Sequence, residues 1–291
     1  MTTSSADPPS SRPSSPPSSR ASIRPPPPPV PGRVERLGAW VVEVVDELGD
    51  MGKMIVGALA AIFRRPFEIK ATIYQIESLG VKSVAIAALT SVFVGMVMAV
   101  QFAYGLQRFG GIEYTGRVVG ISFTRELAPT LTAVIVGGRI GSGIAAEIGS
   151  MAVTEQIDAI RSLGADPLKK LVAPRLVAGT VVMPLLCALA LVLGFSGAMF
   201  ITWAEFSLPP KFFLQTALGS LSFIDYWAGM LKCPVYGAII ALIGCHYGLR
   251  TRGGTEGVGN ATTSTVVMTS IAILVSDFFM TKLSFIVWPA K

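Results

Sequence analysis

The sequence predicts an all-α integral membrane protein. Three observations carry this. Of 291 residues, 51% are hydrophobic and only 14% charged, against about 25% charged in an ordinary soluble domain. Mean hydropathy is +0.60. Five apolar runs are each long enough to cross a bilayer. A chain of this make-up lacks the polar residues to cover a soluble exterior, which excludes a soluble globular enzyme. The net charge of +6 does not argue for nucleic acid, because the basic residues fall between apolar runs rather than on one patch.

Residues 1–33 hold eleven of the twenty prolines and nine serines, with Pro25 to Pro29 unbroken. Such a stretch cannot build a core and is expected to be a disordered cytoplasmic tail. It lacks the apolar segment of a secretory signal. Its four arginines and single acid, Asp7, give it a faint likeness to an organelle transit peptide, against which the proline run argues. Residues 34–82 follow with helical apolar spacing at Leu37, Val41, Val44, Leu48, Met51 and Ile55. Glu35, Glu43, Asp46, Glu47, Asp50 and Lys53 interrupt it. That many charges forbid a span, so interfacial amphipathic helices are expected, broken at Arg64-Arg65-Pro66.

The remainder, 83–291, reads as a transmembrane domain, with spans near Ser83–Leu106, Val118–Gly143, Leu176–Trp203, Tyr226–Tyr247 and Ser264–Val287. About 24 helical residues reach roughly 36 Å, enough for a core of about 30 Å. With the N-terminus inside, seventeen Lys and Arg lie on the inner side and five on the outer. That supports an inside N-terminus and an outside C-terminus, although ten of the seventeen lie before the first span.

Charges within spans are costly and mark function by default. Arg125 and Glu126 in span two, Lys232 in span four and Asp277 in span five are such residues. Pro129 follows the Arg125–Glu126 step, and its missing N–H deprives the Arg125 carbonyl of a helix partner. The pair is either an internal ion pair that fixes packing or a functional site. Small residues recur at four-residue spacing as Gly95/Ala99/Ala103, Gly137/Gly141/Ala145 and Gly138/Ser142/Ala146. Such faces let helices approach closely, within a bundle or between subunits. After span two, Thr154 is expected to cap a short helix bearing Glu155, Gln156, Asp158 and Arg161, with Ile157, Ile160 and Leu163 on its apolar face and Gly164 at its end. One charged and one apolar face suit docking to a partner, or a connector lying on the membrane.

Cys187, Cys233 and Cys245 all fall in apolar runs and read as buried thiols. There is no G-x-x-x-x-G-K-[ST] sequence, so ATP hydrolysis by a P-loop is not expected of this chain. With His246 the only histidine, no histidine-rich metal site is expected, and no catalytic residues or cofactors are assigned.

The run Arg125-Glu126-Leu127-Ala128-Pro129 continues through Gly138-Arg139-Ile140-Gly141-Ser142 and Ala146-Glu147. It then reaches Gly149-Ser150-Met151 and Thr154-Glu155-Gln156-Ile157-Asp158-Ala159, with Asp166-Pro167 and Pro174-Arg175 beyond. This long block closely resembles the MlaE/YrbE permease family, over about residues 35–288. Ala128 stands where the family more often has glycine, and the Pro/Ser tail has no family counterpart. The resemblance implies the membrane subunit of an ABC transporter that moves phospholipids or related lipids between inner and outer membranes. It implies a homodimer in the bacterial inner membrane, with Met98, Leu106 and Phe109 on the apolar wall of a lipid cavity between subunits. Arg125 and Glu126 would then meet the headgroup. A separate P-loop ABC ATPase would bind ATP and hold the helix of Glu155, Gln156, Asp158 and Arg161. An MCE-domain protein would stand on the outer side, and some members add a cytoplasmic STAS subunit. The competing reading is an ion-coupled secondary carrier using Arg125, Glu126, Lys232 and Asp277 as a relay, which five spans without an internal repeat fit poorly. A membrane scaffold that recruits partners through the short helix is a third.

Overall fold

The computed structural model describes residues 33–63 and 68–287, all but a few turns of them helical. The tail expected over 1–33 lies outside the described residues except for Arg33. The chain divides into two compact units, Met1–Asp46 and Glu47–Lys291. Of the first, the described residues are the opening turns of helix α1 (Arg33–Phe63). Within the second, Asp50 near the middle of α1 accepts from Lys53 at 3.1 Å and pairs with Arg250 at 3.2 Å. The Lys53 hydrogen bond and charge hold the Asp50 carboxyl below its usual range.

Among the described residues, five helices are long and apolar enough to cross a membrane: Ile69–Gln107, Ile112–Val153, Leu168–Phe206, Phe223–Leu249 and Gly254–Val287. The first is α2 (Ile69–Gln107), whose 39 residues reach about 58 Å. The segment expected to stand apart before Ser83 is therefore the N-terminal part of this helix. A single buried stripe explains the continuity. Thr72, Gln75, Leu79 and Ser83 fall in line with Ala87, Ser91, Gly95, Ala99 and Ala103, so one face packs along the whole helix.

The second span is built in pieces. A 3₁₀ turn (Ile112–Tyr114) leads into α3 (Thr115–Ser122), then a π turn (Phe123–Leu127), then α4 (Ala128–Val153). Helix α5 (Gln156–Ser162) lies between spans two and three. A second π turn (Leu168–Val172) opens α6 (Ala173–Phe206). After α6 come α7 (Pro210–Ser220), α8 (Phe223–Met230), α9 (Lys232–Leu249) and α10 (Gly254–Val287). Each π turn runs into an Ala-Pro step, Ala128-Pro129 and Ala173-Pro174. Proline cannot donate, and its ring crowds the carbonyl four residues back. The helix widens instead, with Ala128 N–H on the Phe123 carbonyl and Ala173 N–H on the Leu168 carbonyl.

Helix α4 is central, packed against α9 and α10, while α2 lies along α6 and α6 against α9. Two of the three small-residue faces are spent inside the chain, while Ser142 and Ala146 of the third are half-buried. A Cβ on Gly95 would collide with the backbone of Gly194 on α6, and one on Gly137 would press on Ile240 of α9. Ala99, Ala103 and Ala145 are fully buried. Of the two uses open to these faces, close packing within one protomer is the one seen at Gly95, Ala99, Ala103, Gly137 and Ala145. Gly95→Val is expected to lower the thermal unfolding midpoint of the detergent-purified chain, by a strain of about 1–3 kcal/mol or more. Gly105→Val, where a Cβ meets nothing within 4 Å, should leave the midpoint within error.

Candidate functional site

The charged residues found in the spans converge where the first π turn meets α8, α9 and α10. The arrangement begins with local chain geometry. Ser222 and Asp225 form a reciprocal cap at the start of α8, with Ser222 N–H on Asp225 Oδ2 at 2.9 Å and Asp225 N–H on Ser222 Oγ at 3.3 Å. Gly229 lets α8 lie directly on the π turn, where any Cβ would collide with the Thr124 carbonyl. Asp225 Oδ1 is then left facing Arg125, whose Nη1 donates to it at 3.1 Å. The Arg125 guanidinium also lies 4.6 Å from the centre of the Phe285 ring on α10, a favourable stacking for a planar cation.

Glu126 turns the other way. The chain breaks at Leu231 between α8 and α9, which places Lys232 at the first position of α9, only 2% exposed. Its ammonium has three donors, and all three are engaged. They reach Glu126 Oε2, Asp277 Oδ1 at 3.0 Å and Thr281 Oγ1 at 2.7 Å. Tyr236 Oη donates to the same Asp277 oxygen at 2.6 Å, and Thr281 Oγ1 lies 3.1 Å from Glu126 Oε2. Arg125 and Glu126 therefore do not pair with each other, as neighbours in sequence had suggested. Successive helical residues point about 100° apart, so each finds a partner on a different helix.

The side chains of Arg125, Asp225 and Asp277 are 14–19% exposed and that of Glu126 is 36% exposed. With ordinary charges, two cations face three carboxylates in this cluster. Such a mixed site can donate to an anion through Arg125 and accept from a cation through Glu126. Asp225, Tyr236 and Thr281 were not singled out from the sequence. The signals were present: Ser222-x-x-Asp225 is a capping pattern, and Tyr236 and Thr281 lie one helical turn beyond Lys232 and Asp277.

The other predicted residues lie elsewhere. Met98 and Leu106 are half-buried on α2, and Phe109, just past its end, is 88% exposed. A wall role for Phe109 needs a surface from outside the protomer. Glu155, Gln156, Asp158 and Arg161 are all exposed. They stand on or beside α5, with Arg161 Nη1 on Asp158 Oδ1 at 3.0 Å. Ile157 is the buried face of that helix, while Leu163 is 84% exposed. Thr154 does not cap α5. Its hydroxyl donates back to the Ser150 carbonyl at 2.8 Å, and Glu155 takes the flanking position with φ 58°.

A five-span bundle that gathers mixed charges among its helices has the make-up of a transporter's membrane subunit. Residues 72–283 match the family described as Permease MlaE. A probable ABC transporter permease protein of Synechocystis is 39% identical over 254 residues, 87% of this chain and 95% of its own length. One from Rickettsia typhi is 36% identical over 249 residues, 86% of this chain and 96% of its own. The Arabidopsis protein Trigalactosyldiacylglycerol 1, chloroplastic, is 38% identical over 214 residues, 74% of this chain and 61% of its own. The chain belongs to the MlaE permease family, the membrane permease subunits of ABC transporters. That class, and not an ion-coupled carrier, is the one the relatives support.

Replacing Lys232 alone would leave Glu126 and Asp277 facing each other without a cation. Lys232→Met is expected to destabilise the chain toward the lower end of about 3–5 kcal/mol, because Glu126 is partly solvated. The triple change Lys232→Met, Glu126→Gln, Asp277→Asn should recover much of the loss. Thermal unfolding in one detergent, compared across the three proteins, measures both.

Proposed function

We propose that this permease moves phospholipids or related lipids between the inner and outer membranes of a bacterial envelope, with the headgroup meeting the cluster around Arg125 and Lys232. The observation that carries the reading is the cluster itself: a mixed-charge site, over a third open at Glu126, set among apolar spans. A lipid has a polar end and apolar tails, and needs both surfaces in one path. Arg125 offers a planar fork to phosphate, and Glu126 offers an acceptor to a headgroup amine or hydroxyl. The relative named for trigalactosyldiacylglycerol adds support for a lipid cargo.

The cycle is driven by a separate ABC ATPase, which supplies the nucleotide site. It docks on α5, where Glu155, Gln156, Asp158 and Arg161 form an exposed polar face. Two copies of the chain enclose the lipid path. Their contact is proposed on α10, whose Leu274, Val275, Phe278 and Phe279 are more than half exposed, because Gly95 and Gly137 are already packed against α6 and α9. An MCE-domain protein would meet the end that carries α7, and a STAS subunit would join the ATPase side.

Arg125 must be removed together with its own partner to test the headgroup role. The double change Arg125→Met, Asp225→Asn should leave an assembled complex, and transport of labelled phospholipid between liposome populations should fall about tenfold or more, the loss of a charge-assisted contact. Wild-type transport by the assembled double variant rejects the role. For the ATPase, reversing both charges as Glu155→Lys, Asp158→Lys is expected to abolish co-purification with the ATPase while the chain stays in the membrane. Undiminished co-purification counts against docking on α5.

A further inference from the structure

At the end of the bundle that carries α5, the N-terminal part of α2, the C-terminal half of α4 and the start of α10 enclose a second space. It is a cavity of about 640 Å³ whose lining includes Gln75, Ser78, Lys82, Arg139, Ser142 and Glu147. Arg139 lies fourteen residues beyond Arg125, about 21 Å along the helix, so this cavity is separate from the charge cluster.

Its charges do not balance. The one acid among those six, Glu147, is already paired with Arg175 of α6 at 2.9 Å. Arg139 Nη1 donates to the neutral Ser83 hydroxyl at 2.9 Å. Lys82 makes no ion pair among the described residues. Two cations therefore face the same cavity without a counter-charge. Their depth matters: α2 carries no charged residue from Ser83 to Gln107, so Lys82 marks the edge of the apolar zone, where lipid headgroups lie. Uncompensated cations at a membrane boundary favour an anion. The hydroxyls of Ser78 and Ser142 and the amide of Gln75 add neutral donors.

We propose that this cavity binds a phosphate ester, held by Lys82 and Arg139. A phospholipid headgroup of the leaflet on the α5 side and free phosphate share that chemistry. The anion site stands on the cavity and its charges alone. Its use as a loading or release station for lipid rests on the transport function proposed above.

The test uses the full chain in nanodiscs of phosphatidylcholine doped with phosphatidylglycerol. Retained lipid is counted by native mass spectrometry after detergent extraction, and thermal unfolding is followed with and without inorganic phosphate. Lys82→Gln with Arg139→Gln should cut retained phosphatidylglycerol about tenfold relative to phosphatidylcholine. Ser83→Ala, which removes only the protein partner of Arg139, should not reduce it. Lys82→Gln alone, at an exposed position, gives a folded variant with a smaller loss. If phosphate stabilises the wild type but not the double variant, and lipid retention is unchanged, the anion site holds and the lipid source is overturned. A folded double variant with wild-type retention and wild-type response to phosphate overturns the site. The Arg125→Met, Asp225→Asn protein separates the two ideas. Lost transport with Lys82-dependent retention intact places the defect in the charge cluster and leaves this site standing.

Discussion

The Lys232 ammonium is the interaction on which the arrangement of spans two, four and five depends. It is almost wholly buried, and each of its three donors goes to a different acceptor on the first π turn or α10. A buried charge is tolerated only when compensated. The three helices are therefore held to one mutual register wherever this lysine stays ionised. Tyr236, one turn further along α9, adds a second tie to Asp277. The apolar contacts of α4 with α9 are less demanding of register, because lipid competes for them equally.

Around that node, glycine sets distance and proline sets helix shape. Gly229 brings α8 onto the π turn, and Gly95 brings α2 onto α6. The Ala-Pro steps place a wide turn at the start of α4 and of α6. One holds the charge cluster. The other lies just before Arg175, whose Nη1 returns to the Leu171 carbonyl at 2.8 Å. One widened turn thus carries the half-buried Arg125, and the other precedes the buried Arg175.

Much of this was legible in the sequence. Five spans follow from hydropathy, and Arg125, Glu126, Lys232 and Asp277 stand out because charge is rare in such runs. The pairing was not legible. Arg125 and Glu126 are adjacent in sequence, but a helix turns them apart, and their partners lie 100 and 106 residues away. The start of α2 was missed because Lys82 and Glu77 look like the end of a surface segment. The burial of Thr72, Gln75 and Ser83, which continues the apolar stripe in polar residues, is a matter of tertiary packing that hydropathy does not record. The small-residue faces were visible, but their user was not: Gly95 meets Gly194 across 99 positions of sequence. Asp225 was hidden for a different reason, since a capping acid at a helix start looks ordinary until the opposing arginine is known.

The π turn at Phe123–Leu127 also has a bearing on the spacing of the chain itself. A π turn holds one residue more than the α-helix would need for the same rise. Wound as a regular α-helix, the same residues would swing α3 by about 100° about the helix axis relative to α4. Gly116 of α3 fits against Thr216 and Phe213 of α7 with no room for a Cβ, Gly120 lies tightly on Ala217, and that fit would be lost. The surplus residue thus sets the phase between the two halves of the span. The widened turn is therefore as much a requirement of the α3–α7 fit as the side chains that meet there.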